Sequence, residues 1–226
     1  MAPLREGGAA ELAAVFARLL RDPGAGQVLN EVLAAARQVD VDGALGTFAA
    51  TARELGGWYP GDPGVLAALL LNRVVLRRHE AMYLPAGNLH AYLRGSGIEI
   101  MANSDNVLRG GLTAKHVDVE ELLKIIDFTP GRPEVLAGVA EAPGVWRYPT
   151  PAPEFALWRL EPTGALTLPG VGSGRALLVV EGAATISVAA TSQRLELGRG
   201  EAAFLTAEEA VTLQGQGTAF LAASGI

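Results

Sequence analysis

Near residue 60 the spacing of apolar residues changes, and this change constrains the fold more than any other feature of the sequence. Before it, apolar side chains recur at the three- and four-residue steps of amphipathic helices. After it, segments of four to seven residues alternate with Gly, Pro and Asn turns, as strands do. The sequence therefore predicts a mainly β chain that begins with an α-helical domain.

Residues 9–57 are predicted to form a small helical bundle. The apolar stripe of the first helix consists of Leu12, Val15, Phe16, Leu19 and Leu20. Turn residues at 22–26 end this helix, and a second apolar stripe spans 28–36. Asp42 is a suitable N-cap for a third helix, which we expect to end at Gly56 and Gly57. Nothing in this part of the sequence points to chemistry.

The rest of the chain is predicted to be built from strands with one helix among them. The predicted strands before this helix are residues 74–76, 81–85, 90–93 and 98–102. Asp118 and Glu121 stand at capping-box spacing, so we expect a helix over 119–126. From Phe155 onward, short strand-like segments recur at regular spacing, which favours a small antiparallel sandwich or jelly roll.

The composition excludes several classes of protein. Cysteine is absent, so a metal site would have to use His, Asp, Glu or Gln. The formal net charge is -6 and there is no Lys/Arg run, which argues against nucleic acid as a partner. No apolar run reaches the roughly 18–20 residues of a membrane span, and the N-terminus lacks a signal-peptide layout. We therefore expect a cytoplasmic protein with no membrane partner.

Polar groups collect in residues 90–115, HAYLRGSGIEIMANSDNVLRGGLTAK, in a chain that is otherwise poor in charge. If residues 94–97 form a hairpin loop, His90, Tyr92, Glu99 and Met101 share one face, which suits a polar pocket. Simpler interpretations exist. A lone histidine on a strand is more often structural than a metal ligand, Glu99 opposite Tyr92 can be a plain hydrogen bond, and residues 104–106 can be a plain turn.

The same stretch resembles the signature of the class I mannose-6-phosphate isomerases, or phosphomannose isomerases. The matching positions are His90, Ala91, Tyr92, Leu93, Gly95, Glu99, Met101, Ala102, Ser104, Asp105, Asn106, Arg109, Gly111, Thr113 and Lys115. Residues 59–87, 116–123 and parts of the C-terminal region also resemble the family. The chain departs from it at Gly110, usually Ala, at Ala114, usually Pro, and at His79, usually Gly.

The resemblance implies a fold and a reaction. These isomerases are zinc enzymes built from cupin-type jelly rolls, so it implies one partial and one complete jelly-roll barrel beside the helical bundle. The implied domains are a helical domain at 1–58, the second half of the catalytic barrel at 59–130 and a C-terminal jelly roll at 131–226. The implied reaction interconverts mannose 6-phosphate and fructose 6-phosphate and supplies the precursor of GDP-mannose.

The resemblance also assigns roles to individual residues. His90 corresponds to a zinc ligand and Arg109 to the active-site arginine, a cation suited to charge that develops on the sugar oxygens. Lys115 corresponds to a lysine that favours the phosphate, and Tyr92, Glu99 and Asp105 to positions that line the substrate pocket. The base that moves the proton stays unassigned.

Three of the family's four zinc ligands are expected outside this chain. The family holds zinc with a Gln and a His close in sequence, a Glu and a later His, and the chain contains no Gln-x-His pair. The resemblance thus implies a C-terminal portion that lacks an N-terminal zinc-ligand segment. We expect it to associate with such an N-terminal half or with itself. The alternatives are a metal-free cupin-type module that binds sugar phosphates and an inactive fragment.

Overall fold

The computed structural model describes residues 7–103 and 107–225. They divide into a helical unit, made of residues 7–74, 84–93 and 107–133, and a β unit, made of 75–83, 94–103 and 134–225. The prediction of a mainly β chain with an α-helical part is confirmed, and the domain boundaries stay a prediction. None of the helices in the described residues combines the length and the apolar character needed to cross a bilayer.

The helical unit contains the three predicted long helices and two shorter ones. These are α1 (Ala9–Arg21), α2 (Ala25–Arg37), α3 (Gly43–Trp58), α4 (Gly64–Ala68) and α5 (Val119–Ile125). Asp118 caps α5, since its side chain accepts a hydrogen bond of 3.0 Å from the backbone N–H of Glu121. Asp42 occupies the N-cap of α3 in an extended conformation, but its side chain makes no capping bond.

The expected end of α3 at Gly56 is wrong, and packing explains why. The helix continues to Trp58. A methyl group added at Gly56 would lie 2.6 Å from Cδ2 of Leu33, which belongs to α2. Gly56 therefore allows two helices to approach closely, and it does not end the helix.

Three apolar clusters form the core of the helical unit. The first is built on Leu29, Leu55, Val65 and Leu66, the second on Phe16, Ala67 and Leu122, and the third on Ala36, Ala49 and Ala52. In the second cluster Phe16 contacts Phe128 edge to face, with ring centroids 5.5 Å apart. The helix α4 contributes to the first two clusters, so it joins the long helices to α5.

The predicted strands between residues 74 and 102 are mostly absent. Within the described part of this segment only β1 (Glu80–Ala81) forms, paired with β2 (Leu136–Ala137). A strand requires a neighbour that accepts its backbone hydrogen bonds, and residues 90–93 and 98–102 take part in no sheet within the part of the chain that the structure describes. The two strands of the expected hairpin are therefore absent, whereas the shared face of His90, Tyr92, Glu99 and Met101 stays a prediction.

The β unit is an antiparallel sheet. Its strands are β3 (Val139–Ala142), β4 (Val145–Arg147), β5 (Phe155–Leu160), β6 (Leu166–Thr167), β7 (Arg175–Val188), β8 (Gln193–Gly198), β9 (Ala202–Leu205) and β10 (Val211–Ser224). The strand order is β3-β4-β5-β10-β7-β8, with β6 on β10 and β9 on β7. In the described residues this path is open at both ends.

Each of the 14-residue strands β7 and β10 takes the place of two of the short segments expected from Phe155 onward, at 176–182 and 183–190 for β7 and at 210–216 and 217–224 for β10. Gly182 pairs with Gly217, and both have a positive φ, 75° and 117°. These glycines bend the paired strands where the sequence pattern indicates turns. The pairing also shifts between Thr218 and Ala219, which marks a β-bulge.

The bulge changes which residues of β7 face the core. Before it Leu177 and Val179 are buried, and after it Ala184 and Ile186 are buried, so the inward positions change from odd to even numbers. A strand without the extra residue would turn one of these two sets toward solvent. The bulge therefore lets a single long strand contribute to the core along its whole length.

A buried arginine connects the loops at one end of the sheet. The side chain of Arg175 is inaccessible to solvent and donates to the backbone oxygens of Pro169 at 3.1 Å, Thr206 at 3.3 Å and Glu209. Burial lowers the pKa of Arg175 below its usual value. Backbone carbonyls thus replace water around this cation and tie two loops to β7.

Replacing Gly217 by Ala is expected to destabilise the protein by about 2 kcal/mol or more, because an L-residue is strained at this φ. The added methyl group would also overlap the backbone oxygen of Glu181. Urea unfolding of the Gly217→Ala variant measures the loss. Gly164→Ala is the matched control, since nothing lies within 4 Å of its added methyl group. Equal midpoints for the two variants would contradict the role of the bend.

Candidate functional site

The structure places most of the predicted site residues on the surface of the helical unit. His90, Tyr92, Arg109 and Lys115 are exposed, and all four lie in segments without regular secondary structure. Glu99 is exposed and belongs to the β unit. Asp105 lies outside the described residues, together with Ser104 and Asn106.

Four leucines anchor the segments that carry His90, Tyr92 and Arg109. Leu89 and Leu108 pack against the cluster of Phe16, Ala67 and Leu122. Leu93 and Leu112 pack against the cluster of Leu29, Leu55, Val65 and Leu66. Each segment therefore contacts the same two clusters through leucines four positions apart. The polar residues between these leucines remain exposed on a fixed backbone.

Close backbone packing fixes the loop that follows Arg109. Gly111 has a φ of 110°, and a methyl group added there would lie 2.6 Å from the Cα atom of Gly64. The backbone N–H of Gly64 is held in turn by Asp62 Oδ1 at 2.7 Å. A methyl group at the neighbouring Gly110 would meet Cδ1 of Leu89 at 2.8 Å. The Arg109 loop thus lies directly on the start of α4 and beside the segment that carries His90.

A tight turn positions His90. The backbone oxygen of Gly87 accepts a hydrogen bond of 3.0 Å from the N–H of Asp127, just after α5, and Gly87 has a φ of 79°. The N–H of Asn88 donates to Pro85 at 3.3 Å. These bonds hold the carbonyl of Asn88, which lies 3.0 Å from Nδ1 of His90. The turn therefore orients the imidazole ring through the backbone.

The contact with Asn88 also determines the tautomer of His90. A carbonyl oxygen only accepts, so Nδ1 is the donor, and in the neutral ring Nε2 carries the lone pair. Metal-binding histidines are commonly held in this way, with the second ring nitrogen donating to a carbonyl or carboxylate. The geometry of His90 therefore suits a metal ligand that binds through Nε2.

Tyr92 is the aromatic neighbour of His90. Their ring centroids are 6.1 Å apart and the planes meet at 78°, an edge-to-face contact. Tyr92 nevertheless keeps 74% of its surface exposed. The phenol and the imidazole therefore stand side by side on the exposed surface of the helical unit.

The described residues do not form a complete metal site. In residues 7–103 and 107–225, no group of three or more His, Cys, Asp or Glu side chains could hold a metal ion. A catalytic zinc ion uses about three protein ligands. The described residues can therefore supply the imidazole of His90 as one metal ligand. Further ligands are required to hold a metal ion.

Sequence reasoning missed the groups that position the site. The carbonyl of Asn88 has no side-chain signature, since any residue carries one. The four anchoring leucines did leave a signal, because Leu89 and Leu93, and likewise Leu108 and Leu112, are four residues apart. That spacing was hidden by the strand interpretation of residues 90–93, which assigns Leu93 to a sheet.

Comparisons with known proteins identify relatives of the chain. No family model matches it. It is 37% identical over 217 residues to mannose-6-phosphate isomerase of Escherichia coli K12. This alignment covers 95% of the chain and 54% of the relative. It is 41% identical to the Salmonella typhimurium enzyme over 161 residues, 70% of the chain and 40% of the relative.

A plant relative and a solved structure agree with these matches. Mannose-6-phosphate isomerase 1 of Arabidopsis thaliana is 37% identical over 170 residues, 74% of the chain and 39% of the relative. The chain also superimposes on the crystal structure of a mutant phosphomannose isomerase from Salmonella typhimurium, with a TM-score of 0.87 and 33% identity. The superposition covers all of the chain and 57% of the Salmonella protein. The chain spans about half the length of the relatives it matches.

The Gly111→Ala variant is expected to lose about 2 kcal/mol of stability and to loosen the Arg109 loop, because its φ and its contact with Gly64 both exclude a methyl group. Gly110→Ala is expected to lose less, since the end of the Leu89 side chain can move. Urea unfolding and amide hydrogen exchange over residues 107–113 measure both effects. Gly131→Ala is the control, with open space around its added methyl group, and a Gly111 variant that behaves like it would contradict this packing.

Proposed function

We propose that this chain, which is 37% identical to mannose-6-phosphate isomerases, belongs to their family and forms one wall of an active site that interconverts mannose 6-phosphate and fructose 6-phosphate. The observation that carries the proposal is the geometry of His90. Its Nδ1 atom donates to the carbonyl of Asn88, so that in the neutral form of this exposed ring Nε2 carries the lone pair. A residue with only a structural role in the core would be buried instead.

We propose that His90 is one ligand of a zinc ion. Its tautomer and exposure fit this role, whereas the described residues supply no group of three ligands around it. The remaining ligands would come from protein outside this chain. This agrees with the comparisons, in which the chain spans only 39% to 54% of the length of its relatives. A bound zinc ion would polarise the carbonyl and hydroxyl oxygens of the sugar.

The cations of this chain would bind the negative groups of the substrate. A sugar phosphate is an anion and the chain carries a net charge of -6, so binding requires local positive charge. Arg109 would stabilise negative charge that develops on the sugar oxygens, and its anchored loop would keep that position without reorganisation. Lys115 would bind the phosphate, and its backbone N–H is already fixed by Thr113 Oγ1 at 3.1 Å.

The other predicted site residues would line the substrate pocket. Tyr92 stands beside His90 and would contact the sugar, while Glu99 and Asp105 stay assigned to the pocket by the sequence signature. We also propose that the complete site arises by association with an N-terminal half or with a second copy. The supply of GDP-mannose precursor and a cytoplasmic location are further parts of this proposal.

Complementation in trans tests the proposal. The chain is mixed with zinc and with the separately produced part of the Escherichia coli relative that it does not match, and formation of fructose 6-phosphate is measured. We expect activity in the mixture. The His90→Ala variant is expected to lose at least about 100-fold, because even partners of metal ligands contribute 10–100-fold.

The exposed His116 provides the matched control, and His116→Ala is expected to keep the activity. No activity in the mixture, or equal activity of the two variants, would contradict the zinc-ligand role. Calorimetry with mannose 6-phosphate, in the presence and absence of EDTA, distinguishes the zinc enzyme from the alternative of a metal-free binding module. Binding by the chain alone that EDTA does not weaken would favour a metal-free sugar-phosphate module.

Lys115→Gln is expected to weaken binding of mannose 6-phosphate about 10-fold and to leave binding of mannose unchanged, since only the phosphate needs the charge. Calorimetry on the complemented complex measures both affinities. Lys124→Gln is the control, because Lys124 is an exposed lysine that pairs with Glu121 at 2.7 Å. A loss of the same size for both ligands, or for both variants, would contradict the phosphate role of Lys115.

A further inference from the structure

A cluster of titratable groups surrounds His79 in the β unit, outside the site described above. His79 precedes β1 and has a φ of 70°, in the left-handed region that non-glycine residues rarely adopt. Such a conformation persists only where the surroundings hold it. The contacts of His79 therefore show what keeps the turn in place.

Two hydrogen bonds hold His79 when its ring is neutral. Its backbone oxygen accepts a hydrogen bond of 3.1 Å from the hydroxyl of Tyr148. Its Nε2 atom lies 3.1 Å from Nε of Arg78, and an arginine nitrogen only donates, so Nε2 is the acceptor and the ring is neutral. The same Nε2 atom lies 3.7 Å from Oε1 of Glu161.

The charged groups around this ring are already paired. Glu161 bonds to Arg159, whose guanidinium lies 3.9 Å from the centre of the Trp146 ring, and Arg78 bonds to Glu181. Two arginines and two glutamates therefore face His79, and each glutamate has its own arginine. A proton on Nε2 would remove the bond from Arg78 and place two cations in contact, while Glu161 is shared with Arg159.

We propose that His79 is a pH-sensitive clasp that holds the segment Val75–Tyr83 against the rest of the β unit when its ring is neutral and loosens it when its ring is protonated. The segment contains β1, which pairs with Leu136–Ala137. It also continues in sequence into Leu84–Leu93, which carries His90. The clasp does not depend on the proposed isomerase role.

The electrostatics agree in sign with this geometry. Burial, followed by the charge of Arg159, lowers the pKa of His79 below its usual 6.5, although Glu161 and Glu181 act in the opposite direction. The unfolded chain therefore takes up the proton at a higher pH than the folded chain. The stabilisation is complete above about pH 6.5 and is lost as the pH falls toward the folded pKa. Burial raises the pKa of Tyr148, so its hydroxyl remains a donor throughout this range.

Amide hydrogen exchange on the full chain tests the clasp. The N–H of Glu80, which donates to Arg77 at 3.0 Å, reports on the segment. Between pH 7.5 and pH 5.5 we expect its protection, corrected for intrinsic exchange, to fall by up to about 10-fold, since pH 5.5 lies one unit below the usual pKa of 6.5. Amides in the centre of β10 are expected to keep their protection.

Two matched variants separate the clasp from general acid effects. His79→Asn removes the titrating ring but tolerates a positive φ, so it is expected to fold and to lose the pH dependence of the segment. His116→Asn is expected to keep it. NMR titration of the unmodified chain gives a second measurement, with an expected midpoint for His79 below 6.5. An unchanged pH dependence in His79→Asn, or a midpoint at or above 6.5, would overturn the proposal.

Discussion

The packing of four leucines onto the helical core is the interaction on which the candidate site depends. Leu89 and Leu93 hold the segment of His90, and Leu108 and Leu112 hold the segment of Arg109, on the same two clusters. Fully burying one leucine side chain contributes about 1.5–3 kcal/mol, and each of these partly buried leucines contributes a part of that. The leucines consequently keep the backbone of the exposed residues between them in place without a strand.

In this chain the sequence predicts helices and helix caps better than it predicts which strands pair. The helices α1 to α3 and the Asp118 cap are predicted correctly because their periodicity and caps are local. The strands expected at 90–93 and 98–102 fail because alternation does not supply a neighbouring strand. The prediction that β7 and β10 would each be two short strands is wrong because Gly182 and Gly217 suit a turn and a bent strand equally. Only pairing with the backbone of the opposite strand decides between the two.

The same distinction applies to the candidate site. The signature of residues 90–115 leads to the family, and the relatives confirm that recognition. The roles of His90, Tyr92, Glu99, Asp105, Arg109 and Lys115 stay predictions. The supports of the site depend on contacts between distant segments, as at Gly111 against Gly64, and a single sequence does not encode such contacts in a readable pattern.

The histidines at 79 and 90 show why residue type alone does not identify a metal ligand. Both rings have the same tautomer, with the proton on Nδ1 and the lone pair on Nε2. In His79 that lone pair already accepts a hydrogen bond from Arg78 in a half-buried setting, so it is not available to a metal ion. In His90 the backbone holds the protonated nitrogen instead, so the lone pair can serve a ligand. What each imidazole can bind is therefore decided by the neighbour of its other nitrogen, a contact that only the folded chain provides.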